Sequence, residues 1–152
     1  MRKFLFIPLI SLFILAGCSK DDNPVTPPVD NTPSVYAASW KDSVQSASGL
    51  EYAIVTFNGS GTNASLAGQG YLLFRKTGSS TVTVTRTLNP VGSVRNDSLF
   101  IVFSSASENE WEFKGKLNST TGRVNGELQL KFKSYPLIAD TTYKFNMSLK
   151  KQ

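Results

Sequence analysis

Acid–base and nucleophilic chemistry needs side chains that trade protons near neutral pH, and this chain offers few. It has no histidine and one cysteine, Cys18. A Ser–His–Asp triad, a Cys–His dyad, a histidine-held metal and an internal disulfide are therefore excluded within it. The carboxylates best spaced to act together are Glu108, Glu110 and Glu112, which alternate around Trp111. In a strand they share one face. There they could hold a cation or a sugar hydroxyl, or supply the two carboxyls of a hydrolase that works without histidine. The same alternation turns Trp111 inward and the glutamates outward, which reads as a solvated hairpin edge. Gly59–Ser65 is glycine-rich, but no Gly-Lys-Ser/Thr follows it. It is no phosphate loop, and it reads as a mobile hairpin loop at a barrel mouth, a lid in its functional version. No calcium-loop or zinc spacing is present. The expectation is a non-enzyme without metal or cofactor.

The one cysteine has a specific context. Arg2 and Lys3 precede a twelve-residue apolar stretch, Phe4 to Leu15, and Leu15-Ala16-Gly17-Cys18 follows. The stretch is too short for a membrane-spanning helix and right for a secretory core. With its L-A-G-C box it resembles the bacterial lipoprotein signal peptide. The resemblance implies diacylglycerol on Cys18, cleavage before it and acylation of the new amino group. Several acyl chains anchor a protein stably where one does not. The residue after Cys18 is Ser19 rather than the aspartate of inner-membrane retention. This implies the outer membrane of a Gram-negative bacterium, and Lys20-Asp21-Asp22 resembles a surface-export signal. Residues 1–17 are thus the leader and 18–33 the lipidated cysteine with a tether. Pro24, Pro27, Pro28 and Pro33 favour extended backbone there.

Losing Arg2 and Lys3 lowers the net charge from +5 to +3. The remaining cations alternate with apolar residues, as on the wet face of a strand. No nucleic-acid patch results.

From Ser34 to Gln152, runs rich in Val, Ile, Thr, Phe and Tyr alternate with Gly/Asn/Ser turns, as in a sandwich or barrel. The last three runs show the strictest period of two. Trp111, Phe113, Gly115 and Leu117 share one face. Val124, Gly126, Leu128, Leu130 and Phe132 share another, and Tyr143, Phe145, Met147 and Leu149 a third. Such alternation predicts antiparallel sheets with one wet face. Further strands are expected over 51–58, 69–76, 81–88 and 98–104, with a short one over 91–95. Residues 36–44 fit a strand or one face of a helix. Asn118–Gly122 and Asn96-Asp97 read as hairpin turns.

The expected fold is therefore all-β, an antiparallel up-and-down barrel of eight main strands, with a β-sandwich as the alternative. Its strand rhythm is similar to that of the lipocalin-like, or calycin, barrels. Leu99–Phe103 and Tyr71–Phe74 are apolar on both faces, so they need cover on both sides. Residues 34–50 would supply it, or else another molecule. Asp42-Ser43-Val44, Asp97-Ser98-Leu99 and Asp140-Thr141-Thr142 resemble the sequon of an envelope O-glycosylation system and also fit ordinary turn chemistry.

Two functions follow. In the first, the anchored barrel binds a small apolar or amphipathic ligand, lined by Trp111, Phe113, Gly115, Gly126, Leu128, Tyr143, Phe145 and Met147. The two glycines would leave room for it. In the second, the domain is an interaction module with a protein partner in the envelope. A filled interior favours the second.

Overall fold

The computed structural model describes residues 31–89, 92–106 and 108–152. The leader, Cys18 and the tether up to residue 30 lie outside the described residues. So do Pro90, Val91 and Ser107.

The described residues form nine strands. They are β1 (Ser39–Gln45), β2 (Glu51–Gly61), β3 (Leu66–Lys76), β4 (Val82–Leu88) and β5 (Ser93–Arg95), then β6 (Ser98–Ala106), β7 (Asn109–Asn118), β8 (Arg123–Phe132) and β9 (Thr141–Lys151). All join one antiparallel sheet in the order β4-β3-β2-β1-β9-β8-β7-β6-β5. The all-β, antiparallel expectation holds, with nine strands rather than eight. The ninth is β5, which starts at Ser93. Residues 39–45 are strand, not helix.

The order of strands forces the sheet to curl. Laid flat, nine strands at about 4.8 Å spacing would put β4 and β5 about 38 Å apart. Yet Leu88 and Ser93 are joined by so few residues that they lie within about 18 Å. The sheet must therefore curl, and β3 does approach β5 and β6 while β4 approaches β6. The result is a barrel-like curl. β4 and β5 run in the same direction. The chain pairs first with β3, then crosses to pair with β6.

A second seam lies between β1 and β9. Only Trp40↔Lys151 and Lys41↔Lys150 pair there. Beyond them the carboxylate of Asp42 accepts the N–H of Ser148 at 2.7 Å. A side chain thus continues a ladder that the diverging backbones no longer make.

The region expected as a loop over 59–68 is mostly strand. β2 and β3 pair from Glu51↔Lys76 through to Gly61↔Leu66, which leaves only four residues for the turn. The glycines are packing devices instead. A Cβ on Gly59, Gly68 or Gly92 would come within 2.5, 2.7 or 2.8 Å of the Phe57 ring. Phe57 itself is fully buried.

Parity along the last strands follows the sequence. Trp111, Phe113 and Gly115 are buried between exposed Glu112, Lys114 and Lys116. Phe145, Met147 and Leu149 are buried on β9. Rings from both halves of the sheet meet inside. Phe74 of β3 lies 5.3 Å from Phe132, 4.9 Å from Tyr143 and 6.2 Å from Phe145. Trp111 packs tilted against Phe132 at 5.2 Å. Each such ring contributes roughly 1.5–3 kcal/mol by leaving water.

Candidate functional site

The eight residues expected to line a ligand pocket fall within this packed interior. Trp111, Phe113, Leu128, Phe145 and Met147 are all buried, and Trp111 is 1% exposed. Tyr143 is half-buried, at the end where Lys76 donates to its hydroxyl. Gly115 and Gly126 face each other across the β7–β8 ladder. They open no space. A Cβ on Gly115 would stand 2.5 Å from the Phe113 ring, and one on Gly126 would meet the Lys114 carbonyl and the Gly115 Cα. The glycines are there because two backbones and a phenyl ring share that volume.

Arg86 shares the strand parity of Val82 and Val84, and it lies opposite Leu72, which is fully buried. The guanidinium sits over the Trp111 ring at 5.5 Å while the residue stays exposed. A long cationic side chain thus covers the indole and keeps its head in water.

The glutamates point outward as parity requires. Glu110 pairs with Lys131 at 3.2 Å, and Glu108 and Glu112 are exposed. Among the described residues, no group of three His, Cys, Asp or Glu side chains could hold a metal ion. The Asp residues before Ser or Thr have local duties. Asp42 holds the β1–β9 seam. Asp140 accepts the Ser134 N–H at 2.7 Å. Asn96 and Asp97, both with positive φ, form the two-residue turn between β5 and β6.

Open space lies at one end of the sheet and along its seam. The chain enters at the end where β2 meets β3. Thr32 accepts from the Asn63 N–H, Pro33 bridges Thr62, and the Ser34 N–H donates to Gly61. The last residues of the expected tether are therefore fixed to the fold. Tyr36 then plugs the end and is 2% exposed. Its hydroxyl donates to the Asp97 carbonyl and accepts from the Leu117 N–H at 3.1 Å. Its carbonyl accepts from the Trp40 indole at 3.0 Å. Burial pushes the Tyr36 hydroxyl above the ordinary tyrosine pKa, although the Leu117 bond works against that. Beside this plug is a cleft of about 300 Å³. Val35, Tyr36, Val94 and Leu117 line it, with Asp97 and Lys116 at its polar side.

The larger cleft, about 520 Å³, follows the crossing between β4 and β5. Leu66 and Ala67 of β3, Leu88, Gly92, and Phe100 and Val102 of β6 form its walls. Leu99, Ile101 and Phe103 face inward and are buried, whereas Val102 is 42% exposed. Residues 34–50 were expected to cover this outer face. They do not, because β1 is built into the sheet between β2 and β9. Phe100 is flanked instead by Arg95 at 5.7 Å and Lys114 at 5.2 Å.

The two-faced apolar run Leu99–Phe103 pointed to the surface beside Phe100 and Val102, but not to the outline of either cleft. Both depend on where β5 leaves β4, which a period of two does not encode. The signal in that run is the pair Phe100 and Val102, apolar at positions whose neighbours are already inside. No family model, no curated protein and no solved structure matches the chain.

Proposed function

We propose that this is a lipid-anchored, non-catalytic envelope protein whose β domain is an interaction module. The observation that carries this is the contrast between inside and outside. The interior is closed around Phe74, Trp111, Phe132 and Phe145, while the seam beside Phe100 and Val102 is open and apolar. A domain of this kind meets its partners through its outer surface. The box at Leu15–Cys18 supports acylation at Cys18 and an outer-membrane address. The sheet order supports reading the domain as a lipocalin-like barrel with an interrupted strand at β4–β5. Labelling cells with radioactive palmitate and separating membranes tests the anchor. Wild type should carry label and sediment with the outer membrane, and Cys18→Ser should do neither. Unlabelled wild type in the soluble fraction overturns the reading.

A second reading keeps a small amphipathic ligand and moves its site. The cleft beside Tyr36 joins apolar walls to the Lys116–Asp97 pair, 3.9 Å apart. Its volume is at the lower end for small-molecule sites. Saturable binding of anilinonaphthalene sulfonate that weakens in Lys116→Ala would favour it. Equal binding to both proteins would count against it.

A further inference from the structure

We propose that Lys41, Lys150 and Arg123 form a site for a phosphate-bearing anion on the outer face of the sheet, across the β1–β9 seam. The site depends neither on the lipid anchor nor on the apolar cleft beside Phe100. Lys41↔Lys150 is one of only two register pairs that join β1 to β9. Both residues stand on the wet face. Lys41 is exposed beside buried Trp40, and Lys150 is exposed beside buried Leu149. The joint thus sets two ammonium groups directly across from each other, an arrangement that destabilises a strand pair. β8 adds a third cation. Its last pair with β9 at this end is Val124↔Leu149, so the exposed Arg123 flanks Lys150 on the other side. The strands are neighbours in the order β1-β9-β8. At about 4.8 Å per strand, the cations form a row about 10 Å long.

Three other lysines of the domain meet a carboxylate. Lys116 pairs with Asp97, Lys131 with Glu110 and Lys144 with Glu127. Among the described residues, none of Lys41, Lys150 and Arg123 joins an ion pair. The carboxylate next in sequence, Asp42, is turned into the seam and takes the Ser148 N–H. The positions two residues along the same face, Ser43, Ser148 and Asn125, are polar and uncharged. Three positive charges are left for a ligand to balance.

The row chooses the chemistry of that ligand. A carboxylate brings one charge and two oxygens. A phosphate monoester brings nearly two charges and three acceptor oxygens. One oxygen can face each ammonium, while the guanidinium takes the group through its forked N–H donors. The row ends after three cations, short of the stripe that a nucleic acid follows. Free phosphate and the headgroup of an anionic lipid present the same chemistry to it. A bound phosphate turns the repulsion between Lys41 and Lys150 into a bridge, so binding should tighten the seam.

The test follows hydrogen exchange at the amides of Ser148 and Gln152, which donate across the seam to Asp42 and Ser39. In the purified full chain at fixed ionic strength, inorganic phosphate should slow both saturably, about tenfold at ten times the dissociation constant. Phosphate also stabilises folded proteins in general, by exclusion from their surface, so variants carry the argument. Lys41→Glu sets a carboxylate opposite Lys150. It should slow the same amides without phosphate and remove the saturable response, and Lys150→Glu should do so from the other strand. Arg123→Ala should respond but need about threefold more phosphate. Vesicles identify the source. Slowing by vesicles containing phosphatidylglycerol, absent with pure phosphatidylcholine and absent in Lys41→Glu, assigns the site to a lipid headgroup. A response to free phosphate alone assigns it to a soluble anion. Equal phosphate responses in wild type and Lys41→Glu, or none up to about 50 mM, would overturn the proposal. So would wild-type amides that quicken when Asp21, Asp22 and Asp30 are together changed to Asn, because the chain's own carboxylates would then balance the row.

Discussion

Phe57 shows how single residues decide this fold, because three glycines from separate strands and turns make room for one ring. Gly59, Gly68 and Gly92 each leave too little space for a Cβ beside it. A Cβ on Gly68 would also meet the Asn58 carbonyl oxygen, so Gly68→Ala should cost about 1–3 kcal/mol through overpacking, measured by urea unfolding, and an unchanged midpoint would show that both the ring and the β2 backbone yield freely. The opposite case is Leu137. It is 79% exposed and has φ of 64°. It stands third in the turn Tyr135–Ile138, closed by the Ile138 N–H on the Tyr135 carbonyl at 3.2 Å. Pro136 before it and a positive φ make this a type II turn, which favours glycine at that place. Leu137→Gly should raise stability by up to about 1 kcal/mol, since the left-handed backbone costs a branched side chain more than glycine loses in chain entropy. A lower melting temperature would refute this. Glu51 supplies the pH dependence. Ser46 and Ser48 donate to its carboxylate at 2.6 and 2.7 Å, and these bonds hold its pKa below the ordinary value. A carboxylate lowered in the folded state stabilises fully above its unfolded pKa of about 4.3. That contribution is lost as pH falls through the depressed value. Glu51→Gln should flatten the acid limb of the stability profile, and parallel profiles for the two proteins would show that Glu51 is not its source.

Strands were legible wherever one face is wet and one dry. On β7, β8 and β9 every buried residue belongs to the set the sequence indicates, while Leu117, Gly126 and Tyr143 of those sets are half-buried. This can be tested on one pair of neighbours. Phe145→Asp places an unpaired charge in the core and should cost roughly 3–5 kcal/mol. Asn146→Lys, next to it on the exposed face and opposite Glu127, should change stability by no more than about 0.5 kcal/mol. Comparable losses at both positions would mean the register is wrong. Legibility failed where glycine replaced the pattern. Gly59, Gly61 and Gly68 suggested a loop, yet they continue β2 and β3 because the strands wrap closely around Phe57. It failed again at Gly115 and Gly126. A missing side chain in sequence looks like a vacancy, while in the fold a neighbouring ring and backbone already occupy the space. The clefts were not legible because they lie between elements. Their walls come from β3, the β4–β5 crossing and β6, and no local period reports which strands become neighbours.

Closure of the whole sheet depends on a contact that is remote in sequence and short in space. β9 sits in the middle of the sheet, between β1 and β8, and it binds β1 through only two register pairs, Trp40↔Lys151 and Lys41↔Lys150. The Gln152 N–H adds a bond to the Ser39 carbonyl at 2.9 Å. Beneath these bonds lie Trp40 and Leu149, both buried. β1 is also the strand that carries the Tyr36 plug into place, since the Trp40 indole donates to the Tyr36 carbonyl. Removing residues 150–152 should therefore act on both halves at once. It deletes the backbone pairs and leaves Asp42 with Ser148 as the bond across the seam. Each backbone hydrogen bond contributes about 0.5–1.5 kcal/mol net, and exposing part of Trp40 adds a hydrophobic loss of similar size. The shortened chain should lose about 2–5 kcal/mol by urea unfolding, with faster amide exchange at Trp40, Tyr36 and Leu149 together. A loss confined to β9, with β1 and the Tyr36 plug as protected as in the full chain, would show that the two halves of the sheet hold together without this seam. In that case the packing of Phe74 against Phe132, Tyr143 and Phe145 would be what joins them.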